Sequence, residues 1–337
     1  IVAAVTYPDF DSNIMTAGTD SETIQKYLND KKSYFLNRYT DGLYAPGSIV
    51  KPMFALAALH EGIVTPGETI LSTGQLSVPN PYQPGQVTIF KDWKAHGYTN
   101  VREAIAVSSD VYFYTVSGGV PGKKGLGITK MAEYSKLFGL EETYPDTFFT
   151  SQKSIIPTPE WKKKVFKGED WRLGDTYHSS IGQYGFSITP MQALGMLMRI
   201  VRADERYDTL PDFKIQKDTA TTYTTLPSVL LNISKEDYTE IMEGMRMTVT
   251  TGNAQPLNFP ELKIAGKTGT AQLGVANQYI NSWFVGVWPY TEPKYVIVYL
   301  LEKGDAKDSR SATSYLAQVM DQCRIYMCDF DVDRKKQ

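Results

Sequence analysis

Ala45-Pro46-Gly47-Ser48-Ile49-Val50-Lys51-Pro52, followed by Met53-Phe-Ala-Leu-Ala-Ala-Leu-His-Glu61 and closed by Gly62, is the stretch on which the reading of this chain turns. Pro46-Gly47 makes a turn, and the apolar run behind it is rich in helix formers and ends at a glycine. Ser48 is thereby placed at a helix N-terminus with Lys51 one turn on. Residues three apart lie on one helical face, so hydroxyl and amine can touch. The free N–H groups of the helix start favour a developing anion at Ser48. Val50, Pro52 and Met53 surround Lys51, and burial there would push it toward a neutral, basic amine. A neutral amine beside a hydroxyl is an activated nucleophile. The same residues also suit a capped core helix with a lysine reaching to solvent, and Ser-x-x-Lys occurs about once by chance in a chain this long. The decision rests on partners elsewhere.

Composition narrows the field. At 337 residues and 42% hydrophobic content, the chain can bury a large core as one big domain or two. The net charge of −2 gives neither a basic footprint for nucleic acid nor an acidic, disordered tail. No apolar run approaches the ~18 residues of a membrane span. Ile1 leads straight into Val-Ala-Ala-Val-Thr-Tyr without a basic n-region, so an exported protein would carry its export segment upstream. The two cysteines, Cys323 and Cys328, are five apart, too far for an unstrained disulfide on one helix, and read as free thiols unless the helix stops between them.

Along the chain, Ile1–Tyr7 reads as a strand ended by Pro8, and a short helix is expected near Ser21–Leu36. Residues 62–100, dense in Gly and Pro, read as loops with short strands. Val101–Val107 has apolar positions 101, 104, 105 and 107 on a helical face and runs into Ser108-Ser109-Asp110. A hydroxyl and a carboxylate two apart at this junction can protrude into a cleft, or simply cap a helix. Between 118 and 175 one helix is expected, Ile128–Phe138. Thr189 as N-cap and Pro190 as first helical residue open another, behind a glycine-bearing turn at 182–185. The Thr-rich run 219–225 suits an edge or loop, and Ser234–Asp237 opens a helix through Met247. Leu262–Gly266 leads as a strand into Lys267-Thr268-Gly269-Thr270. Ser282–Trp288 and Tyr295–Leu301 then form a hairpin, and a helix over Ser309–Met327 ends the pattern. The expected class is α/β (α+β), an antiparallel β-sheet flanked by helices on both faces.

Lys267-Thr-Gly-Thr has its own chemistry. Gly269 would let a substrate backbone approach and pair with the strand edge. Lys267 would supply a fixed positive charge, and Thr268 and Thr270 hydroxyls suited to a carboxylate. An ordinary strand ending in a polar turn is the plain alternative.

Ser48-x-x-Lys51, Ser108-x-Asp110 and Lys267-Thr-Gly269 follow one another in the order that marks serine β-lactamases and penicillin-binding proteins. Over nearly its whole length the chain resembles the transpeptidase domain of a class B penicillin-binding protein, nearest the elongation-type (PBP2-like) group. Phe90-Lys-Asp-Trp-Lys94, Ser108–Tyr114, Pro159–Lys164 and Gly174–Gln192 carry that nearness. The resemblance implies a transpeptidase domain over 1–327 with a polar tail at 328–337. It implies a D,D-transpeptidase that cross-links peptidoglycan stem peptides ending in D-Ala-D-Ala and is acylated by β-lactams. Ser48 would be the nucleophile, Lys51 its base and Ser108 a proton relay. Lys267, Thr268, Gly269 and Thr270 would form the substrate-binding strand, and the N–H groups of Ser48 and Thr270 the oxyanion hole. No cofactor and no metal are implied. The expected setting is the extracytoplasmic face of the bacterial membrane, through an N-terminal anchor absent from these residues, with a polytopic glycan polymerase and the elongation complex as partners. Asp110 stands where Asn is commoner. A carboxylate there opposes a neutral Lys51, so Asp110 is expected to aim at the substrate amide, or else to engage Lys267. A β-lactamase of the same fold would need a deacylation base, and no Glu-x-x-x-Asn follows the second motif. A β-lactam sensor remains the other alternative. Asp92 and His96, four apart, could share a ligand face, but no cysteine or further histidine is close in sequence.

Overall fold

The structure is a computed structural model that describes residues 3–80, 83–143, 152–203, 233–308 and 310–325. Two short helices open it, α1 (Ser12–Ala17) and α2 (Ser21–Asn29), capped by the carboxylates of Asp11 and Asp20. The second ends earlier than expected. The Asp30 side chain accepts the Lys32 N–H, a local turn that competes with the helix. The expected first strand is not formed over residues 3–7. Val5 and Tyr7 are 86% and 85% exposed, so the alternation there buries nothing.

A 3-10 turn, Gly47–Val50, runs directly into α3 (Lys51–His60), whose residues Lys51 through Leu59 are all buried. A helix apolar on every side belongs at the centre of a domain. The Gly/Pro-dense stretch folds as two antiparallel pairs among β1 (Ile70–Ser72), β2 (Gln75–Pro79), β3 (Val87–Lys91) and β4 (Gly97–Thr99), β1 with β4 and β2 with β3. Next come α4 (Val101–Val107), started by an Asn100/Glu103 capping box, and α5 (Asp110–Gly118). α6 (Gly127–Leu137) matches the expectation within a residue, but the following region holds two unexpected helices, α7 (Pro159–Val165) and α8 (Leu173–Ser180). α9 (Pro190–Ile200) starts at Thr189 with a capping box to Gln192, and α10 (Lys235–Thr250) at Ser234. Gly244 lets α10 lie against α4: a Cβ there would come within 3.1 Å of the Arg102 Cα.

The sheet consists of β5 (Ala265–Leu273), β6 (Tyr279–Trp288) and β7 (Tyr295–Asp305), antiparallel in that order, and α11 (Ala312–Ile325) closes the described chain. β6 is buried from Asn281 to Trp288 without a break, as a strand covered on both faces must be. Trp283, Val285 and Val287 join the main core with α3, α9 and α10. Phe284 and Trp288 join a second core with Ala312, Leu316 and Met320 of α11. This is the expected helix–sheet–helix layering. The run 219–225, Cys328 and the tail at 328–337 lie outside the described residues.

Candidate active site

Ser48 is half-buried in the 3-10 turn, which is wedged between the 182–185 turn and the edge strand β5. The Gly47 N–H donates to the Gly182 carbonyl at 3.0 Å, and the Trp283 indole N–H to the Ala45 carbonyl at 3.0 Å. Gly47 and Gly182 have φ of +56° and +72°. A Cβ on Gly182 would lie 2.2 Å from the Gly47 carbonyl oxygen, and one on Gly47 2.7 Å from that of Thr270. Only glycine meets both the left-handed backbone and the contact. Behind the wedge, two of the segments singled out above meet, with Lys162 Nζ 2.7 Å from Asp175 Oδ2.

Lys51 begins α3 and is fully buried. Its Nζ donates to the Ser108 carbonyl (2.8 Å), the Ser108 hydroxyl (3.3 Å) and Asp110 Oδ1 (2.5 Å). Three acceptors match the three protons of an ammonium. The Phe113 ring centroid lies 5.2 Å from the same nitrogen. Two expectations are corrected here. Asp110 pairs with Lys51 instead of aiming at a substrate amide, because it offers the nearest counter-charge to a cation with no access to water. Ser48 and Lys51 share a face of the turn, but among the described residues no side-chain hydrogen bond joins them, since all three Lys51 protons point to the second motif.

That motif is held in an unusual backbone. Ser108 is the C-cap of α4 with φ +61° and ψ +41°, a left-handed conformation costing a non-glycine residue ~1–2 kcal/mol. The strained turn presents both its carbonyl and its hydroxyl to Lys51. Ser109 is the N-cap of α5: its oxygen accepts the Tyr112 N–H (3.3 Å) and its hydroxyl donates to Asp92 Oδ2 (3.0 Å). Asp92 therefore belongs to this site, though it was read only as one of two metal-ligand candidates. The sequence signal was its place in Phe90–Lys94, a segment quoted for the resemblance. His96 Nε2 stands 3.3 Å from Asp92 Oδ1, and among the described residues no three His, Cys, Asp or Glu side chains converge on a common point. Burial raises the Asp92 pKa, but the N–H groups of Val111 and Asp110, the Lys51 charge and the Ser109 hydroxyl outweigh it and hold it below the usual value. Burial also lowers the His96 pKa, against the pull of Asp92.

Lys267 lies on β5 paired with Val285, fully buried, its Nζ donating to the Thr268 carbonyl at 3.0 Å. Burial holds its pKa well below the ordinary lysine value; the Lys51 charge adds to this and Asp110 opposes it. A fixed positive charge was expected, and complete desolvation works against one. A Cβ on Gly269 would meet the Pro46 carbonyl and Ile49 Cγ2, both at 2.8 Å, so its bareness also admits the nucleophile turn. Thr268 is half-buried and Thr270 exposed along the same edge strand.

Comparison with known proteins bears directly on this geometry. The family model described as "Penicillin binding protein transpeptidase domain" matches residues 1–321. The chain belongs to the penicillin-binding protein transpeptidase family. Among curated relatives, the peptidoglycan D,D-transpeptidase MrdA of Acinetobacter baumannii is 30% identical over 323 residues, covering 90% of this chain and 46% of the relative. MrdA of Escherichia coli K12 is 29% identical over 330 residues, covering 91% of this chain and 50% of the relative. The chain thus spans about half the length of the curated relatives it matches. Pseudomonas aeruginosa PBP2, solved with WCK 5153, superposes with a TM-score of 0.76 at 25% identity, covering 97% of this chain and 71% of that one. Helicobacter pylori PBP2, solved in complex with MreC, gives 0.75 at 28%, covering 96% and 57%.

Proposed function

We propose that this domain is the catalytic unit of an elongation-type peptidoglycan D,D-transpeptidase working through a Ser48 acyl-enzyme. The observation that carries the reading is Lys51, three residues beyond Ser48 on one face of the 3-10 turn, with its amine held by Ser108 and Asp110.

The resting ammonium cannot accept a proton. Transfer of one proton to Asp110 across the 2.5 Å contact turns the ion pair into an amine and a carboxylic acid with no change in total charge. The amine then takes the Ser48 proton as the hydroxyl oxygen attacks the carbonyl of the penultimate D-Ala. The N–H groups of Ser48 and Thr270 receive the oxyanion, each worth ~3–4 kcal/mol. Ser108 passes the proton on to the departing D-Ala amine. An amino group of a neighbouring stem peptide then attacks the acyl-enzyme. A terminal carboxylate arriving at Lys267, Thr268 and Thr270 supplies the counter-charge that the buried amine lacks.

The relatives named MrdA, and the PBP2 solved with MreC, support cell-wall elongation as the setting. The same reading takes the domain as 1–327 with a tail at 328–337, anchored at the extracytoplasmic face of the membrane, acylated by β-lactams and partnered by a glycan polymerase. Among the described residues no helix is long and apolar enough to cross a membrane. The test offers the chain a pentapeptide ending in D-Ala-D-Ala with an acceptor amine, and nitrocefin in parallel. D-Ala release with near-background nitrocefin turnover is expected. Rapid nitrocefin hydrolysis would make the protein a β-lactamase, and acylation by drug without D-Ala release a sensor.

A further inference from the structure

We propose that Asp92 is a positioning residue for the Ser108–Asp110 turn and, through that turn, for Lys51. The inference rests on the Ser48 acyl-enzyme reading above. The Asp92 side chain is entirely shielded from solvent. Its Oδ2 accepts from the Ser72 hydroxyl (3.1 Å), the Ser109 hydroxyl (3.0 Å) and the Val111 N–H (3.0 Å), and its Oδ1 from the Trp93 N–H (2.8 Å) while facing His96. One carboxylate just after β3 thus gathers the end of β1 and the start of α5.

The consequence for the second motif follows from donor and acceptor bookkeeping. Ser109 has one hydroxyl proton. Asp92 takes it, and this aims the oxygen's lone pair at the Tyr112 N–H. The N-cap is oriented from outside the helix. Val111 receives a charged acceptor at the positive end of α5. The residues on either side of Ser109 are the two that hold Lys51: Ser108, in its strained left-handed conformation, and Asp110. A turn of this kind persists only where its surroundings over-determine it, and Asp92 supplies two of those constraints. Asparagine is a poor substitute: with its oxygen on the Ser72, Ser109 and Val111 donors, its NH2 would face the Trp93 N–H, which can only donate.

Asp92 also acts through its charge. The Lys51 cation helps keep Asp92 ionised, so the Asp92 anion is part of the charge field in which Lys51 reacts. The charged and titratable groups facing this pair include Asp110 and Tyr114 on α5, Lys267 on β5, and His96 with Lys94 beside it. A purely structural buttress would set the rate of acylation through folding alone. A positioning carboxylate in this field sets both the rate and its pH profile.

The experiment measures the second-order rate of Ser48 acylation by a fluorescent penicillin from about pH 6 to about pH 10, with the full 337-residue chain and its Tm recorded alongside. Asp92→Asn is expected to be roughly 10- to 100-fold slower at neutral pH, with the rising limb of the profile displaced. Ser109→Ala is expected to be slower by about tenfold with the limb unmoved, because the carboxylate's charge remains. A rate for Asp92→Asn within about twofold of the native protein, or a loss that tracks Tm with the profile unmoved, overturns the proposal. If Asp92→Asn does not fold, Ser72→Ala and Ser109→Ala decide, since each removes one hydrogen bond to the same buried carboxylate. Loss confined to Ser109→Ala supports the proposal, and equal effects overturn it. A native chain that is never acylated at Ser48 refutes the functional reading instead.

Discussion

Removing the Asp110 carboxylate isolates the Lys51 cation. The lysine side chain has no solvent exposure and Asp110 has 18%, at an N–O separation of 2.5 Å. Breaking a buried pair from one side costs ~3–5 kcal/mol, because the remaining charge has neither water nor partner. Ser108 still offers its carbonyl and hydroxyl, which places Asp110→Ala near the lower end, at about 3 kcal/mol. The reverse truncation differs. Lys51→Met puts an apolar chain beside Phe113 and leaves a carboxylate that reaches water, so it costs under ~2 kcal/mol. The double variant is then more stable than Asp110→Ala alone. Denaturant titrations followed by the fluorescence of the five tryptophans measure this. A loss below ~1 kcal/mol at neutral pH, or a double variant no more stable than Asp110→Ala, would refute the reasoning.

Other substitutions probe the rest of the site. Asp110→Asn keeps an acceptor oxygen for Lys51 but cannot take its proton, so acylation is expected to fall by about 100-fold or more; a rate within about tenfold of the native one, ~1.4 kcal/mol, would rule out proton transfer to Asp110. Gly182→Ala adds ~1 kcal/mol of backbone strain at φ +72° and drives a methyl into the Gly47 carbonyl, so acylation should slow more than the Tm change explains; an unchanged rate would remove the wedge. Lys267 has a folded pKa below its usual 10.5, so the folded state carries fewer protons than the unfolded one and stability should rise from neutral pH toward that value. Thermal melts of Lys267→Met against the native chain should show a flatter rise over that range.

What was legible in the sequence was whatever local chemistry decides. Thr189-Pro190 and Ser234 mark their helices because capping needs only residues within one turn. Val101–Val107 was readable from its apolar spacing, and two of the late strands because Trp283–Trp288 of β6 and Tyr295–Leu301 of β7 are largely apolar; β5 begins at Ala265, three residues later than the expected Leu262, where the chain still turns. The order of Ser48, Lys51, Ser108, Asp110 and Lys267 pointed to one cleft, and the fold brings Lys51, Ser108 and Asp110 into contact. What escaped depends on contacts across the chain. Asp92 is recruited from a hairpin by donors on other elements. The choice of Asp110 for Lys51 depends on how deeply the amine is buried. The role of Gly269 depends on Ile49 and Pro46 lying over it, some 220 residues earlier. Residues 3–7 have the alternation of a strand, but no apolar surface receives them.

The central claim is that Ser48 becomes covalently acylated. Intact-protein mass spectrometry after incubation with a penicillin measures this directly, followed by peptide mapping. The account predicts one added drug mass, located in the peptide that contains Ser48, persisting for many minutes and absent from Ser48→Ala. An adduct of the same mass on Ser48→Ala, or one mapped to another residue of the native chain, would contradict it.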